Sequence, residues 1–121
     1  MERSSGSLMI QRNIDVHIVE FLDTSILDQA NIEAIKSEIL ALVEKSAVPK
    51  IILSFEGVRH ISSAVLGALM SINKEISKKQ GELRLSSIDK QLMEVFKLTR
   101  LDKMLNIYKS TDAAMKKFSS V

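Results

Sequence analysis

The chain has 121 residues, 45% hydrophobic and 26% charged, which suits one domain with a single core. A net charge of +2, with bases interleaved among acids, argues against direct nucleic-acid contact and against a basic membrane-surface helix. The lack of cysteine excludes disulfides, thiolate metal sites and cysteine nucleophiles, and fits a reducing compartment.

Residues 1–7 are polar, without the apolar centre of a signal peptide, and are expected to form a disordered tail ahead of one domain over residues 8–121. No run approaches the roughly 18 apolar residues of a membrane span, so a cytoplasmic protein with no membrane association is expected. Across residues 8–21 apolar residues alternate through Leu8, Ile10, Ile14, Val16, Ile18 and Phe21, the period of strand. Asn13-Ile14-Asp15 is either a hairpin turn or a break in one long strand. Residues 22–27 read as a connection in which Asp23, Thr24 and Ser25 supply turn or cap chemistry.

A helix follows over about residues 28–45, with Ile32, Ile35, Ile39, Leu42 and Val43 at spacings of three and four. Pro49 stops it and admits a strand at residues 50–54. Ile51-Ile52-Leu53 has no polar alternation, as expected of a central strand covered on both faces. A loop containing Gly57 leads to a second helix at residues 63–80, with Leu66, Leu69, Met70, Asn73 and Ile76 as its stripe and Gly81 as its terminator. Residues 82–85 make a short strand, 89–98 a third helix with Leu92, Val95 and Phe96 inward, and 104–108 a last strand. Ser110 or Thr111 caps a final helix at residues 112–118, with Ala114, Met115 and Phe118 inward. This order predicts an α/β domain whose mainly parallel sheet of four or five strands is flanked by about four helices.

The motifs of most enzymes are missing. There is no GxxxxGK[ST] loop, no GxGxxG after a strand and no GxSxG elbow. A serine nucleophile at the 62–63 turn would need a base, and neither His17 nor His60 is placed to be one by sequence. No catalytic residue, metal ligand set or cofactor site is expected. The informative feature is Ser62-Ser63, two hydroxyls where a strand runs through a loop into a helix. Amide groups there are unpaired and the helix dipole favours negative charge, so one serine can cap while the other faces solvent or carries a phosphate.

The run Ile61-Ser62-Ser63-Ala64-Val65-Leu66-Gly67 resembles the Asp-Ser-Ser-Gly-Leu-Gly junction of the STAS domain, known from anti-sigma factor antagonists. Gly81-Glu82-Leu83-Arg84-Leu85 resembles that family's next strand. The segment from Phe96 to Asp102 resembles its "f..tgl" turn. By position Ser63 matches the serine that a cognate kinase phosphorylates, with Ser62 as the secondary candidate. Ser62 stands at the family's aspartate, Ala64 at its second serine and Val65 at its glycine. Asp23 resembles an acidic loop position beside the phosphorylation site, and Leu66 completes the partner-facing run.

The resemblance implies partner switching: an anti-sigma factor with serine kinase activity is bound by the unphosphorylated chain and released on phosphorylation. It also implies a PP2C-type phosphatase as a second partner, and a monomer or weak dimer. The alternative it implies is a phosphorylation-independent STAS subunit of a signalling or transport-regulating complex.

Overall fold

The computed structural model describes residues 2–4 and 8–118. The alternating segment at the start is a hairpin of β2 (Leu8–Asn13) and β3 (Val16–Phe21), in register from Leu8 opposite Phe21 to Asn13 opposite Val16. Its two-residue turn places the β-branched Ile14 at a positive φ of 59°. L-residues rarely take that conformation, so the turn is set by strand pairing against local preference.

β1 (Glu2–Ser4) pairs antiparallel along the free edge of β2. This corrects the expected disordered tail over those three residues; an open strand edge offers unpaired amides and carbonyls that even a polar segment can satisfy. The rest of that expected tail lies outside the described residues.

Three parallel strands extend the sheet beyond β3. They are β5 (Lys50–Ser54), β7 (Glu82–Ser86) and β8 (Asn106–Tyr108), giving the order β1-β2-β3-β5-β7-β8. β1 adds a sixth strand to the four or five expected. As its sequence predicts, Ile51, Ile52 and Leu53 of β5 are fully buried.

Helices α1 (Gln29–Lys45), α2 (Ser63–Lys78) and α3 (Lys90–Leu98) cover one face. Aspartates begin two of them: Asp28 accepts from the Asn31 amide at 3.0 Å and Asp89 from the Leu92 amide at 2.7 Å. The buried stripe of α2 is Val65, Leu69, Ile72 and Ile76, rotated from the expected one. Leu66, Met70 and Asn73 are half-buried instead. The helix is apolar around much of its circumference, so spacing alone admits both stripes.

A helical turn, α4 (Leu101–Met104), precedes β8 and shortens the strand expected from residue 104. α5 (Thr111–Met115) packs on the opposite face of the sheet, where Ala114 and Phe118 meet Val16 and Ile52. Ser110 caps it, accepting from the Ala113 amide at 3.1 Å.

The end of α2 differs from expectation in a way that has a testable consequence. Gln80, not Gly81, takes the left-handed conformation, at φ 59°. Gly81 serves close approach instead, because a Cβ there would collide with the Pro49 carbonyl oxygen and crowd Ile76. Gly81→Ala is therefore expected to lower stability by about 2 kcal/mol, through forced backbone displacement between α2 and β5. Urea denaturation checks this; an unchanged midpoint would show that Pro49 yields freely.

Candidate functional site

The Ser62-Ser63 junction is built from two loops stitched together. β5 ends at Ser54 and the chain turns through Phe55, whose buried ring packs 4.8 Å from Phe21 and 6.1 Å from Phe96. Val58 N donates to the Phe55 carbonyl at 2.9 Å, and Gly57 supplies the positive φ of 85° that this tight turn requires. The chain then runs beside residues 24–26. Arg59 N and His60 N both donate to the Thr24 carbonyl, at 2.7 and 3.3 Å, and Ser62 N donates to the Ile26 carbonyl at 3.1 Å. Between these bonds lies a two-stranded parallel sheet of β4 (Ser25–Ile26) and β6 (His60–Ile61).

This stitching brings the loop that carries Asp23 alongside the start of α2. Asp23 is half-buried, and its Oδ2 accepts from Asn31 Nδ2 at 3.1 Å, which ties the loop to α1. Neither segment carries a strand signal in its sequence, because strands of two residues have no period to detect.

The two serines differ sharply in environment. Ser62 has the extended backbone of an N-cap, at φ −91° and ψ 165°, but its side chain makes no capping hydrogen bond. Its Oγ is buried without a partner among the described residues. The side-chain cap expected from one of the two serines is therefore not made by Ser62, which stands at the N-cap position. The carbonyl of Ser62 accepts from Val65 N at 3.0 Å, so the backbone closes the first turn while the hydroxyl points inward. A buried unpaired hydroxyl costs about 1–3 kcal/mol. Ser63, the first helical residue, is exposed.

The remaining predicted residues fall around this point. Val65 is turned into the core with 5% of its surface exposed, so its β-branched side chain does not obstruct the outer surface. Ala64 and Leu66 are half-buried, and Gly67 is exposed with open space above it. Two residues that sequence reading did not single out complete the surface. Leu22 and Leu27 are half-exposed, at 50% and 56%, on either side of the Asp23–Ile26 segment. Their apolar type in a polar connection was the available signal. Neither histidine reaches the serines by hydrogen bond: His60 is exposed on β6 and His17 sits on β3. Among the described residues no group of three or more His, Asp or Glu side chains is placed to hold a metal, and no helix is long and apolar enough to cross a membrane.

The site thus presents an exposed serine at the start of the helix that follows the central parallel strand, joined by backbone bonds to a loop that carries an aspartate. The sequence matches the STAS domain family over residues 8–114, and the chain belongs to that family. BtrV of Bordetella bronchiseptica, a candidate anti-sigma factor antagonist, is 27% identical over 95 residues, covering 78% of this chain and 81% of BtrV. The crystal structure of a candidate anti-sigma factor antagonist from Thermotoga maritima superposes with a TM-score of 0.77 at 28% identity, covering 90% of this chain and 92% of that one. A STAS domain protein from Planctomyces limnophilus gives a TM-score of 0.84 at 21% identity, over 96% of this chain and all of the other, and shares its fold.

Proposed function

We propose that the chain is a non-catalytic anti-sigma factor antagonist that binds an anti-sigma factor with serine kinase activity and is released when Ser63 is phosphorylated. The observation that carries this reading is the contrast between the serines: Ser63 is exposed at the first helical position while the Ser62 hydroxyl is buried. A phosphate on Ser63 adds roughly −1.5 to −2 charges at the positive pole of α2, where the dipole favours them. The modification therefore leaves the fold intact and acts on the docked partner, by repulsion and by the cost of desolvating the new charge. Leu22, Leu27, Ala64 and Leu66 supply the apolar contact area, with Asp23 beside it. A PP2C-type phosphatase would return the domain to its binding form.

Incubation with ATP and the cognate kinase, followed by phosphopeptide mapping, is expected to place the phosphate on Ser63 and none on Ser62. Phosphate on Ser62, or on neither serine, would remove the site assignment. Partner binding that persists without any phosphate transfer would favour a constitutive interaction subunit instead.

A further inference from the structure

At the far end of β5 from Ser63, the end of α1 and the β2–β3 hairpin enclose a hollow of about 760 Å³. His17 forms part of its floor. Cross-strand partners share a face of the sheet, so His17, Arg12 opposite it on β2 and Ile51 beside it on β5 all lie on the face that carries α1. Lys45 and Lys50 line the hollow, and Leu42, Ala47 and Val48 give it an apolar wall.

Three arrangements make this hollow cationic. Arg12 Nε donates to the Ile14 carbonyl at 2.9 Å, which ties the guanidinium to the hairpin turn. Asp15, the carboxylate among the lining residues, is ion-paired with Lys50 at 2.9 Å. The negative pole of α1 would repel an anion, but Lys79 Nζ covers it by donating to the carbonyls of Val43, Glu44 and Ser46 at 3.0, 2.8 and 3.0 Å. Burial, and then the Arg12 charge, hold the His17 imidazole below its usual pKa.

We infer that this hollow binds a small phosphate ester with an apolar body, its phosphate held by Arg12 and Lys45 over His17 and its apolar part against Leu42 and Val48. The site is separate from the Ser63 surface and does not depend on it. The charged groups that line the hollow with His17 are Arg12 on β2, Asp15 in the turn, Lys45 at the end of α1 and Lys50 on β5, and of these Arg12 acts on the imidazole. A bound anion opposes that positive charge, so it raises the His17 pKa, and by linkage it binds more tightly as His17 protonates.

The test follows the His17 imidazole by NMR during titration with phenyl phosphate, with inorganic phosphate as a second probe and sodium chloride at matched ionic strength. A saturable shift with phenyl phosphate is expected, with the His17 pKa raised by roughly half a unit or more. Arg12→Gln and Lys45→Gln should each weaken binding by roughly tenfold, while Lys97→Gln on α3 leaves it unchanged. A response no larger than that to chloride, or one indifferent to Arg12→Gln and Lys45→Gln, would overturn the proposal. So would a response to phosphatidylglycerol vesicles without any to the soluble phosphates, since that result identifies a membrane surface as the ligand.

Discussion

Ser63→Asp is expected to weaken binding of the anti-sigma factor by roughly tenfold to a hundredfold, through a charge placed in a contact that is otherwise apolar. The same substitution should leave the domain as stable as before, or slightly more so. A carboxylate in the first turn of a helix is worth about 0.3–1 kcal/mol through the dipole. This opposition separates a switching role from a folding role, because a merely structural serine would lose stability and binding together. Ser63→Ala provides the complement: it should keep the partner bound and abolish phosphate incorporation. Titration calorimetry and thermal denaturation on both variants read the two effects. An unchanged affinity for Ser63→Asp would count against an electrostatic switch.

The largest expected loss of stability lies on the other side of the sheet. Arg84 sits on β7 with only 8% of its surface exposed. Its Nη1 donates to the carbonyls of Ala114 and Lys116 at 2.8 and 2.9 Å, and its Nε donates to Glu82 at 2.9 Å. The guanidinium also lies over the Phe118 ring at 4.1 Å and the Tyr108 ring at 5.0 Å. One side chain thereby satisfies the carbonyls at the end of α5 and fastens the helix to the sheet. Arg84→Met keeps the apolar length but removes the donors, leaving those carbonyls unpaired; a loss of about 3 kcal/mol is expected. Lysine at this position should restore little, since a point charge cannot reproduce the fork that reaches two carbonyls and a carboxylate. The shift in urea midpoint measures the loss, and hydrogen exchange should show α5 released before β5. A midpoint equal to that of the parent chain would show that Phe118 and Ala114 hold α5 by packing alone.

The contrast between β5 and β7 shows what the sequence makes legible. Ile51-Ile52-Leu53 announces burial on both faces without ambiguity, and with it the central position in the sheet. In Leu83-Arg84-Leu85 an arginine interrupts the apolar run, a pattern typical of a strand with one face in water, yet α5 covers that face and buries the arginine. Nothing local distinguishes the two cases, because the covering element arrives thirty residues later in the chain. The site was legible in the same partial way. The serine pair at a helix start and the acidic loop position were visible from residue type and resemblance. The inward turn of the Ser62 hydroxyl, the burial of Val65 and the exposure of Leu22 and Leu27 depend on the rotation of α2 and on the β4–β6 pairing. Those are tertiary outcomes, and an apolar helix with two permissible stripes does not encode them locally.

The bonds from residues 59–62 to the carbonyls of Thr24 and Ile26 have a consequence for recognition. They join the segment carrying Leu22, Asp23 and Leu27 to the start of α2 and fix the spacing between them. A partner that grips the two leucines thereby sets its register on Ser63, as a gauge fixes the distance from an edge to a mark. Accuracy of presentation would then rest on three backbone hydrogen bonds rather than on the identity of the residues around the serine.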